Sequence, residues 1–149
     1  MKTLIIYMSV HHGNTEKIAR KIGEVLNAEL KKPYEVKPEE LANYDLIGFG
    51  SGIYMFKHHK TLLNFIDNMP DMAKKPVFIF STSGASGGKK YHKELRDKLI
   101  KKNCNILDEF NCLGWDSFGP LKMIGGINKN KPDDDNFKEA GEFAEKLLK

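Results

Sequence analysis

The chain has 149 residues, and 24 Lys and Arg against 20 Asp and Glu leave a formal net charge of +4. This length and composition suit one hydrophobic core, so we predict a single domain over residues 1–149, without a disulfide scaffold or a membrane-spanning segment. Only two of the basic residues are arginine, which disfavours a nucleic-acid-binding protein, because such proteins usually combine arginine with aromatic residues on a basic stripe.

The first third of the chain predicts a strand, a polar loop and a helix. Residues 2–8, KTLIIYM, are apolar and rich in β-branched side chains, as in a strand that is buried on both faces. Residues 14–27 then place four apolar residues on one helical face: Ile18, Ile22, Val25 and Leu26. The proline-containing stretch that follows, residues 28–36, allows only a brief strand and a turn.

The rest of the chain repeats this alternation. Residues 44–51, 76–83 and 105–112 predict three more strands, each a short apolar run. Residues 57–69 and 92–103 predict amphipathic helices between them, and residues 133–149 predict a last helix that begins with N-capping aspartates. Alternating strands and helices indicate a doubly wound α/β domain, with a parallel sheet between two layers of helices.

Three of the predicted strands end in small polar loops: SVHHGNT, GSGIYMF and STSGASGG. In doubly wound sheets ligands bind beside the carboxyl ends of the strands, so we expect these loops to form one site. The first loop leads directly into a helix, whose free backbone N–H groups at residues 13–16 suit a phosphate. Ser9, Asn14, Thr15 and one of two histidines, His11 or His12, could add donors, although Asn14 or Thr15 could simply cap the helix.

Two common phosphate signatures are missing from these loops. The first loop lacks the G-x-G-x-x-G pattern of dinucleotide-binding folds, and GASGGKK has neither the spacing nor the Ser/Thr of a P-loop. The sequence therefore disfavours both a dinucleotide and nucleotide hydrolysis.

The segments GNTEKIA, YDLIGFGSG and VFIFSTSGAS resemble the flavodoxins in sequence and in position, and the resemblance covers essentially the whole chain. It implies a three-layer sandwich with a five-stranded parallel sheet of order 2-1-3-4-5. It also implies one bound flavin mononucleotide (FMN) in a cytoplasmic electron carrier, a monomer or weak dimer, that serves redox partner proteins. The flavin would carry the chemistry, so no catalytic side chain is expected.

Two alternatives to this carrier remain open at the level of sequence. The loop GSGIYMFKHH is also similar to that of the menaquinone-dependent protoporphyrinogen oxidases, which implies an FMN enzyme that reduces a quinone or a similar acceptor. A flavin-free binding module on the same fold is the other alternative, because Val10, His11 and His12 stand where flavodoxins usually have hydroxyl residues.

The resemblance implies that the FMN is held by the three loops, at these residues: Ser9, Val10, His11, His12, Gly13, Asn14, Thr15, Ser51, Gly52, Ile53, Tyr54, Met55, Phe56, Thr82, Ser83, Gly84 and Ala85. Tyr54 aligns with an aromatic residue that stacks on the flavin ring, and Phe56 competes for this role. Met55 stands where many flavodoxins have a glycine, and we expect a methionine there to resist positive φ.

The remaining histidines and the two cysteines are expected to have structural roles. We do not expect a metal site at the adjacent histidine pairs, since neighbouring residues on one element diverge. His92 is expected at the surface, and both cysteines are expected to be reduced thiols. The long segment around Trp115 and Phe118 is either a flap, a docking surface or a loop packed on the sheet.

Overall fold

We describe a computed structural model of the chain over residues 1–10, 12–85, 87–115 and 125–149. The strands are β1 (Thr3–Met8), β2 (Glu29–Lys31), β3 (Leu46–Tyr54), β4 (Lys57–His58), β5 (Pro76–Ser83) and β6 (Asn105–Leu113). The helices are α1 (Asn14–Leu26), α2 (Lys60–Asp67), α3 (Lys93–Lys101) and α4 (Asp134–Leu147). Strands and helices thus alternate as the sequence predicts.

The central sheet has the order β2-β1-β3-β5-β6, and all of these strands run parallel. Counted among the parallel strands alone, this is the predicted order 2-1-3-4-5, and the flavodoxin-like α/β fold is confirmed. The unpredicted element is β4, which pairs antiparallel with the end of β3.

The helix predicted from Lys57 begins later, at Lys60. The backbone of Lys57 and His58 pairs with Tyr54 and Ile53 instead, so these two residues form a hairpin. His59 caps the helix, because its Nδ1 accepts a hydrogen bond of 3.0 Å from the backbone N–H of Thr61. The spacing of the apolar residues correctly predicted a helix, but it did not show at which residue the helix begins.

The sheet has a hydrophobic core on each face, because successive strand residues point to opposite sides. Ile6, Phe49 and Ile79 belong to the core that includes residues of α2 and α3. Ile5 and Phe78 belong to the core that includes residues of α1 and α4. All of these side chains are fully buried, which explains why the strands are continuous apolar runs.

Both cysteines are free thiols, as expected. Burial raises the pKa of Cys112 to about 12 and that of Cys104 to about 11, so both thiols are protonated near neutral pH. Within the described ranges, no helix has the length and apolar character needed to cross a bilayer.

Candidate functional site

A cleft of about 270 Å³ opens at the carboxyl ends of β1, β3 and β5, where the three predicted loops meet. We call this "the cleft", and it is lined by Val10, Asn14, Thr15, Gly52, Ile53, Tyr54, Met55, Phe56, Thr82, Ser83, Gly84, Ala85, Tyr91, Gly114 and Trp115. Twelve of these residues belong to the predicted set, so the parallel topology brings the loops together. Ser9, His12, Gly13 and Ser51 lie beside the lining rather than in it, and His11 lies outside the described residues.

The first loop turns sharply from β1 into α1. His12 and Gly13 both have positive φ, at 48° and 67°, and Gly13 forms the N-terminal cap of α1. Ser9 Oγ accepts a 3.1 Å hydrogen bond from the backbone N–H of Glu16, which leaves the serine hydroxyl hydrogen to donate elsewhere. The Glu16 N–H, which we predicted to face the ligand, is therefore already used by a hydrogen bond within the loop.

Asn14 and Thr15 join the first loop to other parts of the site. Asn14 Nδ2 donates a 2.7 Å hydrogen bond to the carbonyl of Trp115, and the hydroxyls of Thr15 and Thr82 lie 2.8 Å apart in a buried contact. Asn14 Oδ1 is also buried, and it has no hydrogen-bond partner in the part of the chain described here. An acceptor left in this state beside the cleft suits a ligand that brings a hydroxyl donor.

Gly114 makes the contact of Asn14 possible. A Cβ atom at Gly114 would lie 2.6 Å from Asn14 Nδ2, which is closer than real Cβ atoms approach other atoms. A side chain at this position would therefore displace the side chain of Asn14, which joins the start of α1 to the segment after β6.

The second loop is a two-residue hairpin turn between β3 and β4. Met55 and Phe56 have φ of 51° and 67°, so our expectation that Met55 resists positive φ was wrong. The reason is the register: Tyr54 pairs with Lys57, which leaves a turn of only two residues between paired strands. The two favoured turns of this length, types I′ and II′, both have positive φ at the first residue, and type I′ has it at the second residue as well. Ser51 holds this loop from beneath, because its Oγ accepts from the backbone N–H of His59 and donates to the carbonyl of Gly52.

The third loop is fixed by side-chain amides. Asn111 Nδ2 donates to both Ser81 Oγ and Ser83 Oγ, at 2.8 and 3.2 Å. Ser83 Oγ donates in turn to the carbonyl of Ala85, and Asn128 Nδ2 donates to the carbonyl of Gly84. Hydrogen bonds within the protein therefore hold the polar atoms of this loop in place.

Four aromatic rings among the described residues line the cleft. Tyr54 and Phe56 were predicted, whereas Tyr91 and Trp115 could not be placed from the sequence. The ring of Tyr91 packs at 6.2 Å from that of Phe56, and the Trp115 ring stacks on His12 at 3.4 Å. Trp115 therefore belongs to the site, while Phe118 lies outside the described residues.

A buried polar network supports the third loop from behind. His92 is fully buried, so the expectation that it lies at the surface was wrong. Its Nε2 lies 2.6 Å from Ser81 Oγ, and its Nδ1 lies 2.8 Å from Glu109 Oε1. Arg96 donates two hydrogen bonds to the same carboxylate, from Nε and from a terminal nitrogen.

The charges in this network follow from burial and hydrogen bonding. Burial lowers the pKa of His92, and this effect outweighs the contact with Glu109, which raises it. Burial raises the pKa of Glu109, but the hydrogen bonds from Arg96 and His92 prevail and lower it overall. At neutral pH a neutral His92 therefore donates from Nδ1 to the carboxylate and accepts from the Ser81 hydroxyl at Nε2.

The two histidines of the second pair, His58 and His59, have different roles. Burial, with a smaller contribution from His92, lowers the pKa of His58 to about 3, and its Nε2 contacts the carbonyl of Phe80 at 3.3 Å. His59 is the cap of α2. In the ranges that the structure covers, no three His, Cys, Asp or Glu residues are grouped as metal ligands.

Known proteins are similar to this chain over most or all of its length. A family model described as a flavodoxin domain matches residues 4–114, which include all three loops of the cleft. An uncharacterised protein of Methanocaldococcus jannaschii is 52% identical over 150 residues, covering 100% of this chain and 99% of that protein.

Solved structures show the same fold at low identity. Oxidised flavodoxin 2 from Bacillus cereus is 20% identical, with a TM-score of 0.75, over 99% of this chain and 98% of that chain. General stress protein 14 from Treponema denticola, solved in complex with FMN, is 10% identical, with a TM-score of 0.67, over 99% of each chain.

Proposed function

Because the chain belongs to the flavodoxin family, we propose that it binds one FMN in the cleft and carries electrons between redox partner proteins. The observation that carries this proposal is the meeting of the three loops at one edge of the parallel sheet, inside the segment that the family model matches. When bound, FMN supplies the redox chemistry, and the protein supplies position and electrostatics.

The residues present fit the three chemical parts of FMN. The phosphate suits the N-terminus of α1, where Gly13 leaves open space above the backbone. The hydroxylated chain suits the unpartnered Asn14 Oδ1 and the ordered oxygens of the third loop. The flavin ring suits the aromatic side chains of Tyr54, Tyr91 and Trp115.

A carrier and an enzyme that reduces a quinone differ in the space that they need beside the flavin. An oxidoreductase needs space for its substrate against the flavin face in addition to the flavin. A carrier needs only an accessible flavin edge.

The test is to purify the protein, record its visible spectrum and measure the ratio of FMN to protein. The protein is then reduced with dithionite and mixed separately with oxidised haem proteins and with a soluble menaquinone analogue. We expect one FMN per chain and rapid electron transfer to haem proteins, without saturation by the quinone analogue. Saturation by the analogue would support the enzyme, and a colourless protein that does not take up FMN would support the flavin-free module.

A further inference from the structure

The tip of the β3–β4 hairpin exposes two large apolar side chains at the rim of the cleft. Met55 is 78% exposed and Phe56 is 77% exposed. Both have positive φ, which bulky residues disfavour and which Asn-Gly would satisfy without strain. A single exposed apolar residue needs no explanation, but two neighbours in a strained turn beside a ligand cleft indicate a contact with another molecule.

A groove of about 580 Å³ runs from this tip along α3. We call it "the lysine groove", and its charged lining residues are Lys57, Lys90, Lys93, Glu94, Asp97, Lys98 and Lys101. Five lysines and two carboxylates give 5 − 2 = +3, against +4 for the whole chain. The lysine groove is thus a positively charged surface beside the apolar tip.

The lysine groove stays positive after its ion pairs are considered. Its two carboxylates are taken by Lys57, which lies 3.8 Å from Glu94, and by Lys93, which lies 2.7 Å from Asp97. Lys98 pairs with Asp67 outside the groove, at 2.6 Å. Within the described ranges, Lys90 and Lys101 have no carboxylate partner. The ammonium of Lys90 lies over the ring of Tyr91, which also lines the cleft.

A helix on the opposite face of the sheet carries the opposite charge. Helix α4, in the other core layer, has five acidic and two basic residues, which give 2 − 5 = −3. This separation of charge gives the protein a dipole, which turns the lysine groove and the rim of the cleft towards a negatively charged partner during diffusion.

We propose that the hairpin tip and the lysine groove form the docking surface for an electron-transfer protein that carries negative charge around its own redox centre. The lysines steer and orient the acidic partner, and the apolar tip packs against it once water is excluded. This inference rests on the proposed function, because it places the partner at the open edge of the flavin cleft. A nucleic acid fits less well, since Arg96 of α3 is already engaged by Glu109.

The test uses two haem proteins of opposite charge, acidic cytochrome b5 and basic cytochrome c. The FMN-loaded protein is reduced with dithionite and mixed with each oxidised haem protein in a stopped-flow instrument at several salt concentrations. Each ferric haem gains one electron, so two haems fully oxidise one reduced FMN and protons are released to the buffer. We expect salt to slow the reaction with cytochrome b5 and to accelerate the reaction with cytochrome c.

Charge reversal at the two unpaired lysines tests the surface itself. The double variant Lys90→Glu, Lys101→Glu should react about tenfold more slowly with cytochrome b5 at low salt and should match the unmodified protein at high salt. The matched control is Lys138→Glu, Lys146→Glu on α4, which makes the same change in net charge and should alter the rate less than about twofold. Equal effects of the two double variants, or no effect of the first, would overturn the proposal.

Phe56→Asn tests the apolar tip. Asparagine tolerates positive φ, so the turn is kept while the aromatic contact is lost. We expect a slower reaction with cytochrome b5 at both low and high salt, because salt does not screen an apolar contact. An unchanged rate at high salt would exclude the tip from the docking surface.

A docking measurement without flavin distinguishes failure of the docking surface from failure of the proposed function. If the purified protein takes up no FMN, the proposed function fails, and docking is then measured by calorimetric titration of the flavin-free protein with cytochrome b5. Binding that is lost in the Lys90, Lys101 variant and kept in the α4 control supports the surface. Absence of binding, or binding to phosphatidylserine vesicles in place of cytochrome b5, contradicts an acidic protein partner.

Discussion

Gly13 is the residue where the path of the backbone and the proposed phosphate site coincide. It has φ of 67°, and a Cβ atom there would meet no protein atom within 4 Å. The Cβ atom of a substituted residue would therefore point into open space where a ligand can bind. We expect Gly13→Val to weaken FMN binding at least tenfold, because valine strains the left-handed turn by about 1–3 kcal/mol and occupies the space above the helix N-terminus.

Riboflavin is the matched ligand for this prediction, since it lacks the phosphate. Fluorescence titrations of both flavins should show a larger loss for FMN than for riboflavin. Gly13→Asn is the matched variant, because asparagine tolerates positive φ, and it should retain more FMN affinity than the valine variant. Equal losses for the two flavins would place the phosphate elsewhere.

Tyr54 is the predicted stacking residue, and its ring lies in the lining of the cleft. We expect Tyr54→Ala to weaken flavin binding by about 1 kcal/mol and to relieve the quenching of flavin fluorescence, through loss of the aromatic face. Tyr54→Phe should preserve both properties. If Tyr54→Ala behaves like the unmodified protein while Trp115→Leu has these effects, the ring stacks on Trp115.

At the scale of elements, the β3–β4 hairpin combines local strain with a position beside the cleft. Replacing Met55 and Phe56 with Asn and Gly should stabilise the protein by about 1–2 kcal/mol, because both new residues suit a turn with two positive φ angles. Urea unfolding of the flavin-free protein measures this effect. The same variant should react more slowly with cytochrome b5, since the apolar tip is gone.

Phe56→Ala is the control for this interpretation of the turn. It removes the exposed ring but leaves a residue that disfavours positive φ, so it should not stabilise the protein. Equal stabilisation by alanine and by the Asn-Gly turn would show that exposure of the ring, rather than backbone strain, is the unfavourable feature.

At the scale of the whole molecule, two buried histidines determine how stability responds to acid. The pKa of His58 falls from 6.5 to about 3 in the folded protein, and that of His92 is also lowered. Below pH 6.5 the unfolded chain therefore binds protons that the folded protein does not. His58 should therefore cost about 1 kcal/mol of unfolding free energy per pH unit as the pH falls through this window, and the lowered pKa of His92 acts in the same direction.

Urea unfolding between pH 7.5 and pH 5 tests this linkage, in a range above the titration of ordinary carboxylates. Stability should be nearly constant above pH 7 and should decline below pH 6.5. His58→Gln keeps a donor for the Phe80 carbonyl but cannot titrate, so its decline should be shallower. A decline identical to that of the unmodified protein would mean that His58 does not contribute.

The amino-acid sequence by itself determined the order and type of the main elements, the parallel arrangement and the three loops of the cleft. These features depend on residues that are close along the chain: the apolar runs of β1 and β5, and the helical spacing in α1. The strand order 2-1-3-4-5 came from the family resemblance. Local patterns of this kind remain visible in one sequence, because burial acts on each strand and helix with a fixed period.

Only the tertiary structure decided how the loops are joined and which further residues complete the site. Asn14 and Trp115 are 101 positions apart, and His92 and Glu109 are 17 apart, so no local pattern brings them together. The positive φ of Met55 follows from the pairing of Tyr54 with Lys57, and not from any preference of methionine. Register and long-range contacts override local propensity at such positions, because the energy of the assembled sheet exceeds the strain of a single residue.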